Sequence, residues 1–286
     1  MNKYRVQKFM SKFTIHLFLI LVAIFALFPI IYVICASFKT NSEIMVHPEY
    51  VFPIEPTLQN YKIAWTSSDF NILRMFTNST IYTVSCVCFT IITSSMGGYV
   101  FARGEFRGKN FWLAVFTSLM FISIGTITVY PLFEVLNIVD LSSSLYGLLV
   151  VKVFAVNIVQ IYLVRGFINS LPKALDESAE IDGCGFFGTF VHIIFPMLKP
   201  IIATIGILSF QGSWNEYMMP TLFTLTRPEQ RTLIVGVMAL KSSGEAASSW
   251  NLMLAGTTVA LIPVLVAYAI GNKYFVKGIA SGSVKG

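Results

Sequence analysis

The chain has 286 residues, of which 55% are hydrophobic and only 12% are charged, and its mean hydropathy is +0.72. A soluble protein of this length could not bury so much apolar surface, so the composition excludes an ordinary soluble domain and predicts a membrane protein. The net charge of +6 requires no nucleic-acid partner, because basic residues beside membrane spans are attracted to the anionic inner leaflet.

Six segments are long and apolar enough to cross a bilayer, since a spanning helix needs about 20 mostly apolar residues. The fifth is the least regular, because Gln211, Ser213, Asn215 and Glu216 interrupt it. The sequence therefore predicts an all-α polytopic membrane protein with six transmembrane helices. In chain order the predicted spans are Ile15–Phe38, Phe76–Phe101, Phe111–Phe133, Leu145–Val164, Met197–Phe223 and Leu252–Phe275.

The basic residues are distributed unevenly between the two sides of these spans. Thirteen of the twenty lysines and arginines lie in the terminal segments and in the connections between spans two and three and spans four and five, whereas six lie on the opposite side. Cytoplasmic connections carry the excess of Lys and Arg, so both termini are predicted to be cytoplasmic. The N-terminal apolar run is long enough to span, which predicts an uncleaved first helix.

Two longer segments are predicted on the outer side. Residues Lys39–Arg74 contain three prolines and favour an extended loop, with a short helix around Asn60–Trp65. Residues Thr224–Trp250 form the second outer segment, whose middle, Leu233–Leu240, is partly apolar.

The most informative stretch is residues 175–200, called the docking loop below. It begins with a short acidic segment, whose charges suit the first turns of a helix because the helix dipole favours negative charge there. Small residues follow, and then the sharp Asp182-Gly183 turn, where glycine can adopt the positive φ that ends a helix. An apolar run then ends in Pro196 and Pro200, which stiffen or kink the chain before the fifth span.

This ordered combination resembles the EAA loop of ABC importer permeases, the segment that docks into the ATPase subunit. Two positions depart from the family pattern: Glu-Ala-Ala is Glu177-Ser178-Ala179 here, and the alanine that commonly follows Asp-Gly is Cys184. Both replacements are small. The C-terminal third is similar to the carbohydrate-uptake branch, and within it to the smaller maltose permease subunit. Its matching elements are Trp214-Asn215-Glu216, Arg231-Thr232-Leu233, Trp250, Ile262-Pro263-Val264 and the final Ser-Gly-Ser-Val-Lys-Gly.

The resemblance implies a type I ABC importer permease fold, with residues 1–286 as a single transmembrane domain in the bacterial inner membrane. It implies a second homologous permease, two ATPase subunits and an extracytoplasmic solute-binding protein as partners, besides membrane lipid and without nucleic acid. ATP and Mg would bind the ATPase, and this chain would bind no cofactor or metal and catalyse no covalent reaction.

The resemblance also assigns residues to three contacts. The ATPase-coupling residues would be Asp176, Glu177, Ser178, Ala179, Asp182, Gly183, Pro196 and Pro200. An ATPase-contacting tail would comprise Ser283, Val284, Lys285 and Gly286. The binding-protein contact would comprise Lys241, Ser242, Ser243 and Gly244.

Polar residues within the spans are candidates for the substrate pathway, because charged groups there are costly and usually face a cavity or a protein partner. They are Lys152 in the fourth span and Gln211, Trp214, Asn215 and Glu216 in the fifth. A cationic wall at Lys152 would suit an acidic sugar, whereas structural pairing or snorkelling is an equal alternative for this residue. Packing against the partner permease is an equal alternative for the polar stretch of the fifth span.

The sequence leaves several alternatives open. An ABC permease for a non-sugar solute shares the docking loop. An ion-coupled secondary carrier would need paired acidic groups within the spans, where Glu216 is the only candidate. A membrane enzyme would need a nucleophile, metal cluster or cofactor motif, and none is evident in the sequence.

Overall fold

A computed structural model describes residues 2–68, 70–122, 128–242 and 249–283. Over these ranges the chain is helical and has no β-strand. The α-helices are α1 (Asn2–Ala36), α2 (Asn41–Val46), α3 (Gln59–Thr66), α4 (Ile72–Arg103), α5 (Lys109–Phe121), α6 (Val129–Ile138), α7 (Leu145–Phe154), α8 (Ile158–Asn169), α9 (Ala174–Ile181), α10 (Phe186–Thr189), α11 (Phe195–Met197), α12 (Lys199–Trp214), α13 (Met218–Phe223), α14 (Leu233–Ser242) and α15 (Trp250–Ser283).

Four stretches within the described ranges are helical, long and apolar enough to cross a membrane. They correspond to the first, second, fourth and sixth predicted spans. The fourth consists of α7 and α8, which are separated by a short break at residues 155–157. The four candidate spans are Lys12–Ala36, Ile72–Arg103, Leu145–Asn169 and Trp250–Gly271.

The third predicted span, Phe111–Phe133, is not one continuous helix in the described residues. Helix α5 ends at Phe121 and α6 begins at Val129, and residues 123–127 lie outside the described ranges. Each helix is shorter than the roughly 20 residues that cross a bilayer alone.

The fifth predicted span, Met197–Phe223, has different boundaries and is bent. Helices Phe186–Met197 and Lys199–Trp214 meet at 77° and form at most one broken span. At its far end, the Asn215 backbone N–H and side-chain amide both donate to the Gln211 carbonyl, at 3.3 and 2.9 Å. This cap ends α12, and the chain restarts as a separate short helix at Met218.

The chain divides into two compact units. The first comprises residues 1–72 and 236–261, and its segment after α1 is ordered around the buried side chain of Asn60. The Asn60 amide donates to the carbonyls of Ser37 and Lys39, at 2.7 and 2.8 Å, and its oxygen accepts from Asn251 at 2.7 Å. The short helix predicted around Asn60–Trp65 is confirmed as α3.

The second unit comprises residues 73–235 and 262–286 and contains the docking loop. One of its cores joins α4, α8 and the chain from Phe190 to Ile205 through Tyr99, Val164, Ile168, Ile194, Leu198 and Ile201, among other residues. Glycine permits close contact between α4 and α8, since a Cβ at Gly98 would lie 2.5 Å from Val164 Cγ1. This packing fixes the end of α4 beside the docking loop.

Candidate functional site

The docking loop begins with α9, whose first turn carries Asp176 and Glu177. The helix ends at the predicted turn: Gly183 has φ of +80°, and the Cys184 N–H donates to the Ala179 carbonyl at 2.9 Å. A left-handed glycine that follows the last helical residues is a common C-terminal cap, because glycine has no Cβ to clash there. The prediction of a short acidic helix closed by Asp182-Gly183 is therefore confirmed as local structure.

An ion pair ties α9 to the end of α4. Arg103 Nε lies 2.8 Å from Asp176 Oδ2, and the side chain of Arg103 is only 9% exposed. The same guanidinium donates through Nη2 to the Leu171 carbonyl at 2.8 Å, which fixes the segment just before α9. Asp176 therefore makes its charge contact within this chain, which leaves the neighbouring residues of α9 to face outward.

Tyr99 holds the other arm of the loop, one turn before Arg103 on α4. Its hydroxyl donates to the Phe186 carbonyl at 3.2 Å. Its ring lies 4.5 Å from the ring of Phe186 and 5.1 Å from that of Phe190, measured between centroids. Helix α4 therefore contacts both arms of the loop through two adjacent turns.

The outward face of the loop combines acidic and apolar side chains. Glu177, Ser178 and Glu180 are exposed, and so are Ile181 at 86% and Phe187 at 64%. Ala179 differs from expectation: it is 1% exposed and buried in this chain. Its small side chain therefore allows α9 to pack closely on its own subunit, and a partner would meet Glu177, Ser178 and Ile181 instead.

A cavity of about 450 Å³ lies beside this face. Its charged lining mixes both signs and includes Glu105, Glu177, Glu180 and Lys173 together with the Arg103–Asp176 pair.

The two prolines of the loop lie where the helix changes direction. Pro196 lacks an N–H, so the His192 carbonyl cannot receive the usual helical bond, and a π-helical turn, Phe190–Ile194, directly precedes it. Pro200 lies in the first turn of α12, just after the 77° bend. The predicted kink is therefore present, and it lies at Leu198, between the two helices of the bent pair.

A second polar site lies among the membrane-spanning segments. Lys152 Nζ, on α7, is 3.0 Å from Glu216 Oε2 and donates to Oε1 at 3.2 Å. The Tyr82 hydroxyl, on α4, donates to Glu216 Oε2 at 2.6 Å. Both oxygens of the carboxylate are therefore engaged, and the charge of Lys152 is balanced by a partner 64 positions away in sequence.

A cavity of about 300 Å³ adjoins this pair. It is bounded by α4, α7, α8 and α12. Its lining also includes Asn157, from the break between α7 and α8, and Glu216, from the break between α12 and α13. Two of the five predicted pathway residues, Lys152 and Glu216, line it.

The other three predicted pathway residues lie elsewhere. Trp214 is 4% exposed, with its ring stacked on Phe210 and edge-on to Phe76, each 5.7 Å away between centroids. It therefore acts as a packing residue in this chain. Gln211 and Asn215 are exposed in the isolated chain and take part in the cap of α12 described above.

The remaining predicted contacts fall largely outside the described residues. Lys241 is exposed on the last turn of α14, and Ser242 ends that helix. Ser243 and Gly244 lie outside the described ranges, as do Val284, Lys285 and Gly286. Ser283 is the last residue of α15.

Sequence reasoning missed three residues that hold these sites together: Tyr82, Tyr99 and Arg103. Arg103 entered the prediction only through the count of basic residues. Its position at the end of a long apolar helix was an available signal, but its acidic partner lies in another element. The described residues contain no group of three or more His, Cys, Asp or Glu side chains that could hold a metal ion.

Comparisons with known proteins agree with this architecture. The family described as the binding-protein-dependent transport system inner membrane component matches residues 13–281. The probable ABC transporter permease protein YurM of Bacillus subtilis is 31% identical over 286 residues, which cover 100% of this chain and 92% of that protein. The arabinooligosaccharides transport system permease protein AraQ of Bacillus subtilis is 28% identical over 289 residues, which cover 100% of both chains.

The fold has a solved counterpart. One chain in the crystal structure of a bacterial ABC transporter involved in the import of the acidic polysaccharide alginate superposes with a TM-score of 0.76. The match covers 96% of this chain and 98% of that chain, at 23% sequence identity. At that identity the likeness shows the fold alone.

Proposed function

We propose that this chain, which belongs to the family of binding-protein-dependent transport system inner membrane components, is one permease subunit of an ATP-driven sugar importer. As a member of that family with several apolar helices, it is a multi-pass inner-membrane protein and an ABC transporter permease. The permease itself provides the path for the solute. ATP hydrolysis, with its Mg, takes place on a separate ATPase subunit.

The observation that carries the proposal is the arrangement of the docking loop. Helix α9 is fixed from within by the Arg103–Asp176 pair, while Glu177, Glu180 and the apolar side chain of Ile181 point away from the chain. A rigid helix with an exposed, mixed acidic and apolar face suits a groove on another protein, because buried apolar anchors supply most interface energy and charges set orientation.

Coupling follows from the same contacts. Closure of the ATPase dimer moves the docking loop, and Arg103 and Tyr99 pass that movement to α4, which also carries Tyr82 at the intramembrane site. The π-helical turn and the bend near Pro196 are where the fifth span can change direction. Alternating access then results from two arrangements of the spans that the ATPase biases.

The assembly we propose contains a second, homologous permease, two ATPase subunits and an outer solute-binding protein. Residues 1–286 form one transmembrane domain with six spans, and both termini lie in the cytoplasm with the basic connections. Lys241, Ser242, Ser243 and Gly244 contact the binding protein, and the tail from Ser283 to Gly286 reaches the ATPase.

The substrate class rests on the relatives. AraQ is named for arabinooligosaccharides, and the transporter with the similar fold imports an acidic polysaccharide. Sugars are common to both, whereas the charge of the sugar differs. We therefore propose a sugar or oligosaccharide as the solute.

The intramembrane carboxylate argues against an ion-coupled carrier. Coupling to a proton gradient needs an acidic group that can take up and release a proton within the spans. Glu216, the acidic group that the sequence offers for such a role, is already held by Lys152 and Tyr82 of the same chain.

The proposal is tested by purifying the full chain from its native membrane in mild detergent and measuring ATPase activity in the eluate. Wild type is expected to retain an ATPase. Glu177→Arg, which reverses a charge on the exposed face of α9, is expected to reduce the co-purified activity at least 10-fold. Absence of ATPase with wild type, even after gentle cross-linking, would remove the importer proposal.

Glu49→Arg is the matched control, because Glu49 is also an exposed acidic residue and lies in the outer segment between α2 and α3. The control is expected to retain wild-type ATPase recovery. Equal losses in both variants would indicate a general defect of folding or insertion, and the docking assignment would fail.

A further inference from the structure

The cavity beside Lys152 has the size and lining of a small-molecule site. Its volume of about 300 Å³ lies at the lower end of the range for ligand pockets, about 300–1,000 Å³. Its lining includes the hydroxyls of Thr90, Ser209 and Ser213 and the amides of Asn157 and Gln160. Hydroxyls and amides can both donate and accept hydrogen bonds, which matches the hydroxyl groups of a sugar ring.

The lining carries no net charge. Among the described residues that line the cavity, Lys152 and Glu216 are the only formally charged ones, and they neutralise each other at 3.0 Å. The Tyr82 hydroxyl further occupies the carboxylate at 2.6 Å. An anionic ligand that approached Lys152 would also meet the Glu216 carboxylate, and the other described residues that line the cavity offer no second cation.

The location favours transport over packing alone. The cavity is bordered by three candidate spans or span pairs, Ile72–Arg103, Leu145–Asn169 and Phe186–Trp214. The path Leu145–Asn169 is interrupted beside the cavity at residues 155–157, and α12 ends beside it at Trp214. Non-helical backbone at membrane depth is tolerated where it is buried in protein or lines a water-filled cavity, and an interruption and a helix end meet here.

From this geometry we infer that the chain itself binds an uncharged sugar ring in this cavity during transport. The inference deepens the proposed function and rests on it. The Lys152–Glu216 pair excludes acidic sugars by presenting a cation that is already neutralised. The hydroxyl and amide lining takes up the hydrogen bonds that the sugar loses on leaving water. The sequence allowed two roles for Lys152: a cationic wall for an acidic sugar, or structural pairing. Because Lys152 pairs with Glu216, the inference adopts pairing and drops the cationic wall.

The experiment uses the complete transporter, purified with its ATPase and binding protein and reconstituted in liposomes. ATP-dependent uptake is measured for three uncharged probes, raffinose, maltotriose and arabinotriose, and for one acidic probe, digalacturonate. Wild type is expected to import at least one uncharged probe and to reject digalacturonate. Gln160→Leu and Ser209→Ala are each expected to raise the KM for the imported probe about 10-fold, with retained co-purification of the ATPase. Ser118→Ala is the matched control, because it removes a hydroxyl from α5, away from the cavity, and it should keep the wild-type KM.

The charge pair is tested separately from the hydroxyl lining. Glu216→Gln leaves Lys152 unbalanced and is expected to reduce uptake of the uncharged probe more than 10-fold and to raise the relative uptake of digalacturonate. The double variant Lys152→Met/Glu216→Gln has no charge and is expected to recover uncharged-sugar uptake to within about threefold of wild type. A merely structural pair would not change the preference between charged and uncharged probes.

The outcomes separate the cavity from the substrate class. Wild-type import with an unchanged KM in Gln160→Leu and Ser209→Ala overturns the site while leaving the sugar importer intact. Preferential import of digalacturonate by wild type overturns the charge assignment. Failure of wild type to import any of the four sugars, despite a co-purified ATPase, overturns the proposed substrate class and this inference with it.

Discussion

The second unit contains two ion pairs, Arg103–Asp176 and Lys152–Glu216, which lie in different surroundings. The first is the more deeply buried at its cation, with 9% of the Arg103 side chain exposed against 30% for Lys152. It joins the long helix α4 to the short surface helix α9, and the exposed residues of α9 lie next to it. The second joins two interrupted helical paths, and a polar cavity lies next to it.

Two ion pairs of similar chemistry therefore have different consequences, depending on the residues that surround them. In the docking loop, Asp176 is paired within the chain and orients α9, whereas Glu177 and Glu180 stay exposed on its outward face. Beside the cavity, Lys152 and Glu216 neutralise each other, so the hydroxyls and amides of the lining determine what can bind. A pair that positions a surface and a pair that neutralises a site should respond differently to mutation.

The largest effect is expected from Arg103→Leu. Breaking a fully buried pair by removing one partner costs about 3–5 kcal/mol. Because Asp176 is 23% exposed, we expect a loss of about 2 kcal/mol in the free energy of unfolding. Loss of ATPase from the purified complex should accompany it. Thermal unfolding and ATPase recovery measure the two effects.

Two further variants decide whether that effect belongs to the pair. Arg107→Leu removes an exposed arginine from the same connection and should leave both measurements unchanged. Arg103→Leu/Asp176→Asn removes the uncompensated carboxylate and should recover part of the stability. If Arg103→Leu behaved like Arg107→Leu, the pair would have no positioning role.

A smaller effect is expected from Tyr82→Phe, which removes one hydrogen bond from Glu216 and leaves Lys152 in place. Hydrogen bonds to charged groups contribute about 1.5–3 kcal/mol. Because the cation remains as a partner, we expect a loss of about 1.5 kcal/mol in the free energy of unfolding. The midpoint of thermal unfolding of the purified complex measures it.

Tyr268→Phe is the control for that variant, since Tyr268 is 64% exposed on α15. Its unfolding midpoint should match wild type. A loss in Tyr82→Phe larger than that of Arg103→Leu would reverse the order proposed for the two pairs and would make the cavity pair the main structural tie.

The smallest effect, and the one with opposite signs, is expected from two glycine-to-alanine changes. A Cβ at Gly183 or at Gly166 would meet no atom within 4 Å. Gly183 has φ of +80°, so Gly183→Ala should lower the free energy of unfolding by about 1 kcal/mol. Gly166 lies inside α8, so Gly166→Ala should raise it by about 0.5–1 kcal/mol. Thermal unfolding of both variants gives the comparison, and equal signs would show that backbone conformation at Gly183 is unimportant.

The predicted spans show where sequence reasoning succeeds. Four of the six apolar segments are helices that could cross a membrane, because continuous hydrophobicity is read from neighbouring residues. The fifth was placed too far along the chain. Its boundary depends on the Asn215 cap and on the bend after Met197, which are decided by individual side chains and not by average hydropathy.

The candidate sites show the same distinction. The Asp182-Gly183 turn was predictable, since a glycine that follows a short acidic helix has few other roles. Ala179 was expected to face a partner but is buried in its own chain. Composition within α9 could not reveal which of its small residues faces inward, because that depends on the helix against which α9 packs.

The helical membrane class and the acidic docking loop can be predicted from the sequence alone, because apolar runs, a helix-ending glycine and proline act over a few neighbouring positions. The packing of distant elements determines which charged side chains are paired within the chain and which stay exposed. Lys152 could have been a free cation in the pathway, and Asp176 could have been an outward-facing contact. Each instead meets an opposite charge from a distant element, 64 positions away in the case of Lys152. Helix packing brings such partners together, and the low dielectric between the packed helices makes pairing strongly favourable over an isolated charge.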